Sequence, residues 1–244
     1  MINSPRLWLE RELADFAASL PADALVLDAG AGDQRYRRFF GHCRYESTDF
    51  EQVDKAYAPS TYVCDLAAIP VEDDRFDAVV FTQVMEHLPD PVRAVRELAR
   101  VARPGAKLFY SGPMHYEEHE KPFDFYRYTQ FGVRHVLEEA GWRVDDLRPL
   151  DGFMSVVAHQ LRFMKRRFPR RPAGYGGGVT GVAALCVFQL CRLLFAPLVW
   201  LAARAGARHR YNDENTYPMN YLALATLPTR PERTADGTSK DASR

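Results

Sequence analysis

The sequence predicts an α/β protein whose core is a parallel, doubly wound sheet. Strand-like and helix-like segments alternate over residues 1–150, which is the pattern of successive strand–helix–strand units. One strand, FDAVVFT, is apolar almost throughout and bounded by acids, as expected for a strand buried on both faces. Nearly half of the 244 residues are apolar (47%), which is enough for a sizeable core.

The first predicted helix begins at Ser4. Ser4-Pro5 has the form of an N-cap followed by a proline in the first turn. The helix ends before Pro21. Its apolar residues recur at helical spacing: Leu7, Leu9, Leu13, Phe16 and Leu20.

A strand, a short helix and two further strands follow. The strand covers residues 25–28, an apolar run that ends in an acid. The helix covers residues 33–40 and is closed by Gly41. Residues 45–50 and 61–65 are predicted to be the next short strands.

The remaining elements of the sheet region alternate in the same way. Phe76–Thr82 is the buried strand described above, and Pro91–Val101 has apolar residues at helical spacing before a Pro-Gly stop. Residues 107–110 are predicted to form the fifth strand. Thr129 caps a helix that ends at a glycine, and residues 142–150 follow as the sixth strand.

Composition limits the function classes. Basic and acidic residues are equal in number, 32 of each, so no overall field attracts the protein to nucleic acid. The four cysteines, Cys43, Cys64, Cys186 and Cys191, have no CxxC spacing and suit reduced thiols in a reducing compartment. The N-terminal segment carries acids and does not have the form of a signal peptide. We therefore expect a cytoplasmic protein without a nucleic-acid partner.

The stretch LVLDAGAGDQRY is the first candidate ligand-binding motif. A dinucleotide-binding fold needs a third glycine where this chain has Arg35, and no GK[ST] follows for a phosphate-binding loop. Gly30 and Gly32 still allow the backbone to approach a ligand closely. The N-terminus of the predicted helix that follows is suited to a carboxylate.

Three acids follow three successive predicted strands. They are Asp28, Asp49 and Asp65. An acid in the position of Asp49 accepts hydrogen bonds from ribose hydroxyls, and Asp65 with Leu66 suits the amino group and ring of adenine. Three carboxylates fit a ligand with hydroxyls, an amino group and a positive centre, and they fit phosphates poorly because like charges repel.

In this order the motifs resemble those of class I S-adenosylmethionine-dependent methyltransferases. The matching stretches are VLDAGAG, STDF, CDLAAIP and FDAVVFTQVMEHLPDPVRAVRELARVARPGAKLFYSGP, and the resemblance covers residues 25–142. HEKPFDFYRYTQFGVRHVLEEAGW resembles a branch often associated with modifying surface glycans or other small metabolites. The resemblance implies a Rossmann-like, seven-stranded sheet whose antiparallel last strand pairs beside the sixth.

The same resemblance implies a role for each cofactor-binding candidate. Asp28, Gly30 and Gly32 would line the methionine and ribose side of S-adenosylmethionine. Asp49 would bind the ribose hydroxyls, and Asp65 and Leu66 would flank adenine. One further candidate lies just past the fourth strand, where Gln83 would contact the methionine part.

Methyl transfer from a sulfonium is an in-line displacement. Holding the nucleophile and the methyl carbon in line supplies about 7–11 kcal/mol, and a base, which a hydroxyl acceptor needs, adds about 10²–10⁴-fold. His115 and His119 are the candidate bases, and Arg127 is the candidate anchor for an acidic group. His87 is predicted either to start a helix beside the cofactor or to act in catalysis. The histidines slightly favour O-methylation.

Metal binding is the other reading of the histidine-rich segment. His115, Glu117 and His119 alternate, so an extended chain would place them on one face. That spacing suits metal ligands, but the sequence shows no further tight ligand pair, and we predict no metal. A solvated charged loop is the alternative to a role in substrate binding.

After the sixth strand the pattern changes to a helical, partly hydrophobic insertion over residues 151–215. Residues 153–168 are predicted to be helical and become basic, and glycines follow at 174–178. Residues 179–203 are long enough to cross a bilayer, which requires ~20 apolar residues.

Two observations argue against a simple transmembrane span. Arg192 lies in the middle of the apolar stretch, where it costs ~2.5–3.5 kcal/mol on insertion. Basic residues flank both ends, which removes the usual charge asymmetry. We expect contact with the inner membrane surface through residues 153–210. A soluble lid over the active site and a true span are the alternatives.

The chain then returns to the sheet. Residues 1–150 are predicted to be the cofactor-binding core, residues 216–228 its final strand and residues 229–244 a disordered tail. By the resemblance, the insertion lies between the last two strands, near the substrate side, which favours a lipid-linked or bulky apolar acceptor.

The sequence thus predicts methyl transfer from S-adenosylmethionine to a small-molecule, glycan or lipid-linked acceptor. Two other classes stay open. A nicotinamide-dependent oxidoreductase is disfavoured by the missing third glycine. The second is a non-catalytic, membrane-associated protein that keeps the cofactor pocket.

Overall fold

Seven strands form one sheet at the centre of the molecule. The computed structural model describes residues 2–210 and 217–229. The strands are β1 (Leu25–Ala29), β2 (Arg44–Asp49), β3 (Tyr62–Val63), β4 (Phe76–Thr82), β5 (Ala102–Pro113), β6 (Arg143–Pro149) and β7 (Asn220–Thr226). Their order across the sheet is β3-β2-β1-β4-β5-β7-β6.

The strand directions confirm the predicted fold class. β1 to β5 pair in parallel, while β7 is antiparallel to both β5 and β6. The fold is therefore a Rossmann-like, doubly wound α/β sheet with an antiparallel last strand and a helical insertion before that strand. The carboxyl ends of β1 to β4 meet at one edge of the sheet, where ligands bind in folds of this type.

Five α-helices accompany the sheet in the described residues. They are α1 (Ser4–Ala18), α2 (Pro91–Val101), α3 (Gln130–Glu139), α4 (Phe153–Arg167) and α5 (Gly178–Arg208). The Asp90 side chain accepts a hydrogen bond from the backbone N–H of Arg93 (3.1 Å), and that of Thr129 accepts one from Gly132 (3.3 Å). These caps explain why α2 and α3 begin where the sequence predicts.

The core has two layers because the central strands are buried on both faces. Leu27 of β1 and Val79 of β4 pack with residues of α2 and α3. Val26 and Val80 point to the other face and pack with α1. All four are fully buried, and burying each such side chain contributes about 1.5–3 kcal/mol. The sheet is thereby held from both sides.

The predicted helix over residues 33–40 is wrong in its first half. Only Arg37–Phe40 is helical, as a single 3-10 turn. Gly32 and Gln34 have φ angles of 53° and 52°, and this left-handed conformation does not fit into an α-helix. Among the described residues, no α-helix therefore begins at the glycine turn, and the predicted helix N-terminus for a carboxylate is not formed there.

Two boundaries near helix and strand ends also differ from the prediction. Asn3, rather than Ser4, caps α1, and its side-chain oxygen accepts the backbone N–H of Arg6 (3.3 Å). β5 is longer than the predicted 107–110 because its pairing with β7 continues to Pro113.

The C-terminal segments are shorter than predicted. The final strand covers Asn220–Thr226 within the predicted 216–228. The predicted tail over residues 229–244 lies outside the described residues except for Thr229.

The insertion contains α4 and α5, which pack against each other, and α5 also packs against α1. The hydroxyl groups of Ser4 and Ser155 are hydrogen-bonded at 2.9 Å. Trp8 Nε1 donates to the carbonyl oxygen of Gly206 (2.7 Å). α1 therefore joins the insertion to the sheet.

The two ends of the insertion lie side by side at the sheet. The backbone N–H of Leu150 donates to the carbonyl oxygen of Asn220 (2.9 Å). Asp151 is buried, and its Oδ1 accepts the backbone N–H of Met219 (2.7 Å). These bonds tie the exit of the chain from the sheet to its return.

α5 is apolar and yet largely exposed. Its most apolar 18-residue window has a mean hydropathy of 2.1, and only 6% of that window is buried. Within residues 2–210 and 217–229, it is the one helix whose length and composition would allow it to cross a membrane. Pro197 lies inside the helix and Arg192 near its middle.

Candidate active site

The glycine turn after β1 brings the backbone close to the residue that follows β4. Gly30 has a φ of +77°, and a Cβ on it would lie 2.4 Å from a methyl carbon of Val84, so no side chain fits there. Gly32 also has a positive φ, but none of the described atoms lies within 4 Å of the place of its Cβ. The turn is therefore closed against Val84 and open at Gly32.

Asp28 is buried in β1 beside this turn. The hydroxyl of Tyr45 donates a hydrogen bond to its carboxylate. Burial raises the pKa of Asp28 to about 7, although the bond from Tyr45 acts in the opposite direction. Asp28 is therefore a carboxyl group that is neutral below about pH 7, and it lies in β1 just before the glycine turn.

Asp49, at the end of β2, contacts the glycine turn directly. Its Oδ2 accepts the backbone N–H of Gly32 (2.8 Å), and its Oδ1 accepts that of Glu51 (3.0 Å). The end of β3 lies against it, since Cys64 N–H donates to the Asp49 carbonyl (3.1 Å). Asp65 follows at once, and its Oδ1 accepts the N–H of Ala67 (2.8 Å).

The structure therefore brings the predicted cofactor-binding residues of β1 to β3 to one edge of the sheet. Leu66 is 5% exposed and packs into the core beside Asp65. No basic side chain of the described residues forms an ion pair with Asp49 or Asp65. Their charges are thus left for hydroxyl and amino donors of a ligand, the groups that carboxylates accept best.

Gln83 links this edge to a cavity of about 440 Å³. Its backbone N–H donates to the carbonyl oxygen of Ser111 (2.8 Å), and its side chain donates to the hydroxyl of the same residue (3.3 Å). The cavity lies between α1, α4 and the loop after β5. Its polar lining includes Gln83, Tyr36, Glu117, His119, His159 and Arg162.

Two histidines line this cavity, and the sequence predicted only one of them. His119 was a predicted base and does line the cavity. His159 of α4 was not a candidate, and its Nε2 lies 2.6 Å from Oε2 of Glu117, so the ring is oriented by a carboxylate. The 42 residues that separate this pair left no local pattern from which it could be predicted.

His115 lies outside the residues that line the cavity. Its Nδ1 donates to the carbonyl oxygen of Pro218 (2.7 Å), and its ring lies on that of Tyr217, with centroids 3.9 Å apart. β5 ends at Pro113, so the residues after it form a loop rather than an extended face. The expectation that His115, Glu117 and His119 share one face of an extended segment is therefore wrong.

The guanidinium of Arg127 is hydrogen-bonded to residues of its own loop. Its guanidinium binds both carboxylate oxygens of Asp124 (2.6 and 2.8 Å) and the carbonyl oxygens of Glu117 (2.9 Å) and Tyr116 (3.2 Å). The same contact holds the pKa of Asp124 well below its usual range. Arg127 thus fixes the loop that carries His119, and its role as an anchor for an acidic group stays a prediction.

Glu86, His87 and His119 form a group that could hold a metal ion. One ligand atom from each lies within 4.8 Å of the others. Both carboxylate oxygens of Glu86 are buried without a hydrogen-bond partner among the described residues, and burial raises its pKa to about 8. His87 Nδ1 donates to the carbonyl oxygen of Phe123 (2.6 Å). The sequence had suggested a different ligand set and predicted no metal.

The central part of the chain is similar to known methyltransferase domains. Residues 27–110 match a family described as a methyltransferase domain. Ubiquinone biosynthesis O-methyltransferase of Coxiella burnetii is 33% identical over 77 residues, which cover 31% of this chain and 30% of the relative. A tRNA (carboxymethyluridine(34)-5-O)-methyltransferase of Arabidopsis thaliana is 26% identical over 146 residues, 57% of this chain and 36% of the relative. The chain thus spans about a third of the length of these relatives.

Solved structures support the fold. The 1,6-didemethyltoxoflavin-N1-methyltransferase of Burkholderia thailandensis, solved with its substrate and S-adenosylhomocysteine, superposes with a TM-score of 0.51 at 14% identity. The match covers 91% of this chain and 78% of that structure. The segment matched by the family includes the glycine turn, Asp49, Asp65 and Gln83, and it excludes α4 and α5.

Proposed function

We propose that this chain is a class I S-adenosylmethionine-dependent methyltransferase that transfers the methyl group of S-adenosylmethionine to an acceptor in the cavity beyond Gln83. The match of residues 27–110 to a methyltransferase domain family supports this proposal. The observation that carries the proposal is the position of Asp49 and Asp65. The two carboxylates lie at the ends of the neighbouring strands β2 and β3, Asp49 contacts the glycine turn, and neither forms an ion pair with a basic side chain among the described residues.

Each polar part of the cofactor has a complementary group at this edge. Asp49 accepts the ribose hydroxyls, while Asp65 and Leu66 bind the amino group and ring of adenine. The open turn at Gly32 and the side chain of Gln83 hold the methionine part. A nicotinamide dinucleotide is disfavoured as the cofactor because the carboxylates of Asp49 and Asp65 repel its phosphates.

Loss of one carboxylate charge tests cofactor binding. Asp49→Asn is expected to weaken S-adenosylhomocysteine binding by roughly 10–100-fold, because hydrogen bonds to a charged group contribute about 1.5–3 kcal/mol. Titration calorimetry measures the change. Asp54→Asn, on the same loop but exposed, is the matched control. Unchanged binding in Asp49→Asn, or no binding by the unaltered protein, contradicts the proposal.

The favoured reaction is O-methylation. A hydroxyl oxygen of the acceptor attacks the methyl carbon, the carbon–sulfur bond breaks, and sulfur keeps the electron pair. The hydroxyl proton passes to a base that lines the cavity. Geometry favours His159, since Glu117, whose Oε2 lies 2.6 Å from its Nε2, fixes the orientation of the ring. His119 lines the same cavity and is the second candidate.

We further propose that the enzyme works in the cytoplasm at the inner membrane face, through α5. Val179 and Leu193 of this helix are 88% and 72% exposed, an apolar surface that water disfavours. Basic residues of α4 and of the segment after it lie beside α5: Lys165, Arg166, Arg167, Arg170 and Arg171. An apolar face with a basic rim is typical of a helix that lies in the surface of an anionic bilayer.

A further inference from the structure

A second cavity, of about 890 Å³, lies between α1, α4 and α5. We call it the basic cavity. Its cationic lining residues are Arg6, Arg162, Lys165, Arg166, Arg170 and Arg192. Among the described residues of the lining, Glu10 is the one carboxylate, and it forms an ion pair with Arg38 (3.1 Å). The cavity thus carries a large excess of positive charge in a chain whose net charge is zero.

The cationic side chains of the basic cavity have no ion-pair partner among the described residues: within residues 2–210 and 217–229, none of the six forms a salt bridge. Arg162 donates from Nη2 to the carbonyl oxygen of Ile2 (3.2 Å), while its buried Nε has no partner. Burial and the neighbouring charge of Arg166 lower the pKa of Arg162. An anion with several oxygens would remove this repulsion and satisfy these donors.

The other wall of the basic cavity is apolar. It is formed by Leu7 of α1 and by Ala196, Val199 and Trp200 of α5. Trp200 is 54% exposed, so this wall continues into the apolar surface of α5. A cavity with cations on one side and an apolar wall on the other fits an anionic amphiphile better than a free inorganic anion.

The basic cavity adjoins the cavity of the methyl-transfer site. Asn3, Arg6, Arg162 and Arg166 line both. An anionic group held by Arg162 and Arg166 therefore leaves its polar substituent beside His159 and its apolar chain beside α5.

We propose that the basic cavity binds the phosphate or pyrophosphate group of a lipid-linked acceptor and so presents the polar part of that acceptor for methylation. The presentation step rests on the proposed methyl transfer, whereas binding of the anion does not. Arg162 and Arg166 hold the phosphate oxygens, and Trp200 packs against the first carbons of the lipid chain.

Titration calorimetry with three soluble probes tests the site on the unaltered protein. Farnesyl pyrophosphate combines charge and chain, inorganic pyrophosphate has charge alone, and farnesol has the chain alone. Farnesyl pyrophosphate is expected to bind roughly tenfold or more tightly than either of the others. Equal binding of inorganic pyrophosphate would overturn the lipid part of the proposal, and equal binding of farnesol would overturn the anion part.

A pair of double variants locates the binding. Arg162→Gln with Arg166→Gln is expected to weaken farnesyl pyrophosphate roughly tenfold or more, because charge-assisted bonds are lost. Arg93→Gln with Arg208→Gln removes two exposed charges elsewhere and is expected to leave it unchanged. S-adenosylhomocysteine binding, measured in parallel, reports separately on folding and on the proposed function.

Anionic vesicles separate the cavity from a bilayer surface. If the Arg162 and Arg166 changes weaken sedimentation with phosphatidylglycerol vesicles while farnesyl pyrophosphate gives no heat, these arginines serve the membrane surface and the proposal is overturned. Heat with farnesyl pyrophosphate that the first double variant loses and the second keeps supports it.

Discussion

Asp28 is a carboxyl group that water does not reach, and its environment makes folding depend on pH. Burial raises its pKa from 3.8 to about 7 in the folded protein. Between about pH 4 and about pH 7 the unfolded chain releases this proton and the folded chain retains it. The free energy of unfolding therefore falls as pH rises through that window and is constant with respect to this group above it.

Asp28→Asn removes this dependence. Relative to the unaltered protein, the variant is expected to gain roughly 2–3 kcal/mol between about pH 5 and about pH 8, since each pKa unit corresponds to about 1.4 kcal/mol. Urea denaturation at both pH values measures the difference. Asp54→Asn, at an exposed site, is expected to show no such change. Parallel pH dependence for Asp28→Asn and the unaltered protein would show that the carboxyl group is not held neutral.

The oriented histidine at the cavity gives the second prediction at this scale. His159→Gln is expected to lower kcat by about 10²–10⁴-fold, because the proton of the acceptor hydroxyl loses its base. S-adenosylhomocysteine affinity should stay unchanged. His115→Gln is the control, since His115 is hydrogen-bonded to Pro218 and does not line the cavity. If His119→Gln abolishes turnover and His159→Gln preserves it, the base is His119.

The stability of the glycine turn depends on the absence of a side chain at Gly30. Gly30→Ala is expected to destabilise the protein by roughly 2–4 kcal/mol, because the new Cβ combines a left-handed φ with an overlap with Val84. Gly32→Ala has the strained φ but no described neighbour within 4 Å, and should cost only about 1–2 kcal/mol. Urea denaturation compares them. Equal losses would mean that the contact with Val84 does not restrict the turn.

The exposed face of α5 gives a prediction for a whole helix. The unaltered protein is expected to sediment with phosphatidylglycerol vesicles more than with phosphatidylcholine vesicles, and less as salt increases. Leu193→Glu with Leu194→Glu should weaken binding roughly 100-fold, since each buried leucine contributes about 1.5–3 kcal/mol. Phe131→Glu changes an equally exposed residue (76%) of α3 and is the control. An unaltered protein that stays wholly in the supernatant excludes this surface role.

At the scale of the whole molecule, periodicity and caps were enough to predict most of the sheet and its helices. The two-sided burial of β4 shows as a continuous apolar run, and the cap of α3 is visible at Thr129. The predicted helix over residues 33–40 failed because Gln34 adopts a left-handed conformation. Such a conformation at a non-glycine residue has no signature in the sequence.

The cofactor side and the acceptor side of the site also differ in how far the sequence predicts them. The placement of the proposed cofactor-binding residues was predictable, since residues that follow parallel strands must meet at one edge of the sheet, and Asp49 and Asp65 do so. The acceptor side depends on how a loop and α4 pack. The contact of His159 with Glu117 and the capture of Arg127 by Asp124 arise from that packing, and no local pattern reports it.

The adjacency of Leu150 and Asn220 makes the protein modular. Because one hydrogen bond of 2.9 Å joins the points where the chain leaves and re-enters the sheet, a short hairpin between β6 and β7 would close the same gap at little entropic cost. Evolution can thus exchange, lengthen or delete everything between these points without altering the registers of the strands. Under the proposed function, a lineage of such proteins would change what it modifies, and where, while its cofactor-binding edge is inherited intact.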